Sequence, residues 1–126
     1  YGGRIKTLIG LKKFNRQVRE ALLNDPPGLV YCHDADTLNI GIALKRAKSV
    51  PFVFDMHDLQ HTWVRMDAPN SLPRTLVSRR FKQKMLTRAK HAECIITSSG
   101  SIEGGSQRGF VEWLAHHGLV GNVVEN

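Results

Sequence analysis

The chain has 126 residues, of which 41% are hydrophobic and 23% charged, and it carries a net charge of +7. That length holds one compact domain or a piece of one, and that apolar content excludes a disordered polyelectrolyte. No apolar run approaches the roughly 20 residues that a membrane-spanning helix needs, and no signal-peptide pattern is present, so a cytoplasmic chain is expected.

Helix-like and strand-like segments alternate. From Gly3 to Asn24, apolar residues including Ile5, Leu8, Ile9, Val18 and Leu22 recur near helical spacing, and Asp25-Pro26-Pro27-Gly28 stops that helix. Leu29 to Cys32 reads as a first strand, and Thr37 to Ala47 as a helix packed through Leu38, Ile42 and Leu44. Pro51 introduces a second strand, Phe52 to Met56; a long loop through Asp67 and Pro73 then leads into a helix from about Arg74 to Ala92. Cys94 to Thr97 is a third strand, followed by a Ser98-Ser99-Gly100 turn. Phe110 to His117 is a short helix closed by Gly118, and Asn122 to Val124 is a fourth strand. This βα alternation predicts an α/β fold: a Rossmann-like, three-layer α/β/α arrangement of about four parallel strands with helices on both faces. The chain ends directly after an apolar run, so it is expected to be a partial domain covering 1–126.

Two strand-length apolar runs end in titratable clusters, Val30-Tyr31-Cys32-His33-Asp34-Ala35-Asp36 and Phe52-Val53-Phe54-Asp55-Met56-His57-Asp58. Open α/β sheets bind ligands in the crevice outside the carboxyl ends of their strands. His33, Asp34, His57, Asp58 and Ser98 are therefore expected to gather at one end of the sheet. The plainer alternative is that Asp34 and Asp58 only cap the segments that follow them.

All the excess charge lies between Ala68 and Ala92, where seven basic residues meet no acidic one; elsewhere eleven basic face eleven acidic residues. On that helix Val77, Phe81, Met85 and Ala89 form the expected core stripe, while Arg79, Lys82 and Lys90 point away. A solvated face, an anionic lipid surface or a phosphorylated partner fits such a helix. Nucleic acid does not, because no aromatic residues interleave with the charges. Cys32 and Cys94 lie in apolar strand-like runs and are expected to stay reduced.

The order of these motifs, from "VYCHDADTLNIGIALKRAKSVPFVFDMHDL" through "RAKHAECIITSSGSI" to "VVEN", resembles the N-terminal domain of family-4 glycosyltransferases, retaining enzymes with two Rossmann-like domains around a cleft. The resemblance spans about Leu29 to Asn126. It implies a hexosyltransferase of carbohydrate biosynthesis in which His57 is catalytic, beside the transferred sugar, and His33, Asp34, Asp36, Asp58 and Ser98 bind on the acceptor side. It also implies a nucleotide-sugar donor, held mainly by a second domain, and a sugar or lipid-linked acceptor. Peripheral attachment to the inner face of a membrane through the basic helix is left open. No cofactor and no metal is implied. No Glu-x7-Glu motif is present, and Gly104-Gly105 interrupts the run toward the next helix, so this chain alone is not expected to transfer sugar.

Competing motifs are weaker. His57 and His61 suit zinc only if both lie on one helix with a third ligand nearby. The glycines between Gly100 and Gly109 match neither a dinucleotide fingerprint nor a phosphate loop. Trp63 and Trp113 are simplest as packing residues, although Trp63, which follows the second cluster in the sequence, is a candidate for stacking on a sugar ring. The alternative from another class is a non-catalytic, flavodoxin-like module that binds an anionic partner through helix 74–92. A sheet edge left open at Leu29 is further expected to promote self-association.

Overall fold

The computed structural model describes the backbone of residues 2–97 and 109–123, and the side chains of 6, 7, 9–97 and 109–122. The long first helix, α1, spans Gly2–Asn24 and ends before the two prolines. It is followed by β1 (Val30–His33), α2 (Leu38–Lys48) and β2 (Phe52–Met56). A single helical turn, α3 (Gln60–Trp63), stands where a loop was expected. Then come α4 (Leu72–Ala89), β3 (Cys94–Thr97) and α5 (Phe110–His116). The expected turn at Ser98-Ser99-Gly100 and the glycine-rich stretch up to 108 lie outside the described residues.

The sheet is parallel, with three strands of four or five residues in the order β1-β2-β3. At its β3 edge the described part of the expected fourth strand is a two-residue ladder, β4 (Asn122–Val123), in which Ile96 faces Asn122; Val124 lies outside the described residues. Every crossover steps in the same direction across the sheet. Right-handed connections then put all the connecting helices on one face.

Burial agrees with that geometry. Cys32, Phe52, Phe54, Met56 and Ile95 share one face and one core with Leu38 and Ile42 of α2, Met85 and Ala89 of α4, and Phe110, Trp113 and Leu114 of α5. The opposite face carries Tyr31, His33, Val53, Asp55, Cys94 and Ile96. Among the described residues no helix packs on it, and Tyr31 is 56% exposed. The expectation of helices on both faces is corrected to this extent: the second helical layer is absent among the described residues. α1 instead packs against α2, where Val18, Leu22 and Leu23 meet Ile40, Leu44 and Val50.

Two glycines explain close features of the helical layer. A Cβ on Gly41 would stand 2.7 Å from Cys32 Sγ and 2.8 Å from the Phe52 ring, so α2 can approach the sheet only with glycine there. Gly118 takes φ 74° after α5. Its amide donates to Ala115 and that of Leu119 to Leu114, the paired bonds of a left-handed helix stop.

The core stripe of α4 differs from expectation by one residue. Ser78, Met85 and Ala89 are buried and Phe81 is partly so, whereas Val77 is 56% exposed. Ser78 turns inward because its hydroxyl donates to the His61 carbonyl. Lys82 does not point away either: its ammonium lies 5.0 Å over the Trp113 ring. The two cysteines are free. They sit on strands separated by β2 and on opposite faces of the sheet.

Candidate functional site at the carboxyl end of the sheet

The register of β1 and β2 builds the site. His33 lies directly opposite Asp55, and Tyr31 opposite Val53, so alternation brings Tyr31, His33 and Asp55 onto the open face. His57 follows Asp55 by two residues and returns to the same side. Three donors converge on one carboxylate oxygen. Tyr31 Oη donates to Asp55 Oδ2, His57 Nε2 lies 2.9 Å from it, and His33 Nδ1 3.3 Å. The two imidazoles are neighbours themselves, with centroids 4.6 Å apart.

These three side chains bury Asp55 to 5% exposure while staying about half exposed themselves. Burial is the largest influence on its carboxyl and pushes the pKa upward. The hydrogen bonds from Tyr31 and His57, the attraction of His57 and the hydrogen bond from His33 outweigh it, so the carboxyl is held below its ordinary value. The same contact with Asp55, then burial, raises the Tyr31 phenol. Asp55 is therefore a carboxylate and His57 donates to it through Nε2. In the neutral ring that leaves Nδ1 as the proton acceptor.

Asp34 occupies a different environment. It leaves β1 with φ 64°, in the left-handed region that Asp tolerates better than most residues. Its amide donates to the Asp55 carbonyl at 2.9 Å, and Thr37 Oγ1 closes the turn onto the carbonyls of His33 and Asp34. One carboxyl oxygen, Oδ1, is buried without a partner, and Oδ2 lies 3.7 Å from His33 Nε2. Burial raises its pKa; His33 opposes this, and the charges of Asp36 and Asp58 add to it. The turn after β1 and strand β2 thus bring together two carboxyls pushed in opposite directions, Asp34 up and Asp55 down, with His33 between them.

Of the residues singled out from sequence, His33, Asp34 and His57 come together, and Asp36 and Asp58 are near enough to act on Asp34 electrostatically. Asp36 is also tied to α1, since Asn15 Nδ2 donates to its carbonyl at 3.1 Å. Ser98 lies outside the described residues. His61 does not join His57; it is buried on the helical face and stacks on Trp113. Trp63 is half exposed on α3. Sequence reasoning passed over Asp55 and Tyr31. The available signal was Asp55 itself, a charge inside an otherwise apolar strand.

The ligating atoms of His33, Asp55 and His57 all lie within 4.8 Å of one another. Two imidazoles and a carboxylate are a donor set that suits a first-row transition metal. Such an ion would compete with the hydrogen bonds already made to Oδ2.

Comparison with protein-family models, with curated proteins and with solved structures finds no match to this chain. Its function has to be argued from the geometry.

Proposed function

We propose that this chain is the acceptor-side half-domain of a two-domain, retaining glycosyltransferase with Rossmann-like domains. The observation that carries the reading is the Asp55–His57 pair at the carboxyl end of a parallel sheet. A buried carboxylate fixes the imidazole by its Nε2, which leaves Nδ1 to accept a hydrogen bond from a sugar hydroxyl. His33 and Asp34, beside this pair, serve as further hydroxyl partners, with Asp36 and Asp58 close enough to act on Asp34. Ser98, outside the described residues, is assigned the same role from the sequence alone. The work of this half is to place hydroxyls, and the barrier it lowers is one of orientation. The nucleotide-sugar donor is held across the cleft by a second domain. Among the described residues, no strand lies beside the outer edge of β1 and no helix covers the face that carries Tyr31 and Asp55, which leaves room for the remaining strands and helices of a larger domain. No described helix is long and apolar enough to cross a membrane.

Saturation-transfer NMR with methyl glycosides of the common hexoses tests this reading. At least one glycoside should receive saturation from the protein and lose it in His57→Ala and Asp55→Asn, while Arg79→Ala leaves it unchanged. Absence of transfer to every hexoside, or transfer indifferent to His57, rejects the proposal.

One observation favours a second reading, a divalent-metal site: the convergence of the His33, Asp55 and His57 ligand atoms. Cobalt(II) added to the chain would then develop a visible absorption band that His33→Ala abolishes. A featureless spectrum dismisses it.

A further inference from the structure

We propose that the groove between α1, α2 and α4 is a binding site for a compact ligand carrying several phosphate groups. The groove has a volume of about 450 Å³ and shares no residue with the Asp55 cluster. α4 lines it with Lys84, Thr87 and Arg88, and His91 follows, a spacing that keeps one helical face turned toward the groove. α2 contributes Arg46 at the rim, and Ile42 and Ala43 on the wall; α1 adds Arg19.

No acidic side chain lines this space. Glu93, two residues beyond His91, is engaged by Lys45. Among the described residues none of Arg19, Arg46, Lys84 and Arg88 is in an ion pair. Arg46 and Arg88 occupy the last turns of α2 and α4, where the helix dipole already favours a cation. That accounts for two of the four. Arg19 and Lys84 lie within their helices and gain little from it, yet they face the same concavity. Like charges gathered from three helices around one groove repel each other, and an anion of high charge relieves that repulsion. Guanidinium groups grip phosphate oxygens two at a time, and Thr87 and Asn39 add uncharged partners on opposite walls. A single phosphate can reach only part of this array; two or three linked phosphates can bridge it.

Calorimetric titration of the chain with sodium tripolyphosphate, and separately with orthophosphate, tests the site. Tripolyphosphate should bind at least about tenfold more tightly than orthophosphate. Arg46→Gln and Arg88→Gln should each weaken it about tenfold, the worth of one charge-assisted contact. Arg88→Lys, which keeps the charge but loses the two-pronged grip, should bind more weakly than the parent chain and more tightly than Arg88→Gln, and should keep the fold by circular dichroism. Arg79→Gln and Arg80→Gln, which sit on α4 outside the groove, should change affinity less than about twofold. Phosphatidylcholine vesicles with and without phosphatidylinositol bisphosphate distinguish the source of the phosphates. Binding to the former that tripolyphosphate competes away, and that Arg88→Gln abolishes, supports the site with a lipid headgroup as its ligand. Tripolyphosphate binding without vesicle binding supports it with a soluble ligand. Absence of tripolyphosphate binding, or equal losses at Arg79 and Arg88, overturns the proposal in favour of a diffuse basic surface.

Discussion

His57 and Asp55, two residues apart where β2 leaves the sheet, are joined through Nε2 and Oδ2 at 2.9 Å, and Tyr31 and His33 close over the same oxygen. The pair gives the carboxyl end of the sheet a fixed imidazole on a buried charge.

Asp55→Asn keeps one acceptor oxygen but removes the charge on which Tyr31, His33 and His57 converge and puts an amide donor beside it. Loss of the charge-assisted hydrogen bonds should destabilise the chain by about 1–3 kcal/mol in urea unfolding. Asp58→Asn, at an exposed position, should stay within about 0.5 kcal/mol of the parent chain. Equal effects at the two positions would show that Asp55 is not the hub of the network.

The two perturbed carboxyls predict opposite pH dependences. The folded pKa of Asp55 is depressed below 3.8, so its contribution is present above that value and is lost as pH falls through the folded pKa. The folded pKa of Asp34 is raised above 3.8, so the folded state binds its proton more tightly than the unfolded one. That group makes stability fall as pH climbs from 3.8 through the raised pKa. Asp34→Asn keeps a residue that tolerates φ 64° and removes the charge. It should raise the urea midpoint at pH 7, with the gain vanishing toward pH 3.8 and below. A lower midpoint at pH 7 would contradict this assignment.

Gly41→Ala tests the close approach of α2 to the sheet. Helix propensity alone favours alanine by about 1 kcal/mol. The new methyl would meet Cys32 Sγ and the Phe52 ring, both fully buried, and overpacking should cost about 1–3 kcal/mol and outweigh the gain. A stabilised Gly41→Ala protein would mean that α2 sits farther from the sheet.

Much of the fold was legible because β1, β2 and β3 are bounded by turn residues, and α2 and α5 by apolar spacing. The face that no helix covers among the described residues was not legible. Tyr31, Val53, Cys94 and Ile96 are as apolar as the core residues they alternate with, so the runs read as strands buried on both sides. The stripe of α4 was displaced to Val77 for a similar reason, since Leu76 and Val77 are apolar yet exposed, and Ser78 is buried through a hydrogen bond that spacing does not reveal. At the site, the histidines were conspicuous at the strand ends. Asp55 was hidden by lying one pleat inside the strand, where only register with His33 shows its role.

The β1 edge has no strand partner on its outer side among the described residues, and Leu29 and Tyr31 beside it are more than half exposed. Such an edge pairs readily with another chain. Light scattering at micromolar concentration should show reversible self-association that Leu29→Lys weakens. A monomer at all concentrations would mean that the edge is protected.

The central claim is that Asp55 fixes His57 with its Nδ1 free to receive a sugar hydroxyl. Long-range 1H–15N spectra of the histidine rings, recorded with and without a methyl hexoside, test it most directly. The account predicts that the neutral form of the His57 ring carries its proton on Nε2, that its Nδ1 resonance moves when the glycoside is added, and that this tautomer preference weakens in Asp55→Asn. A proton on Nδ1, or a His57 ring that no hexoside perturbs, would contradict it.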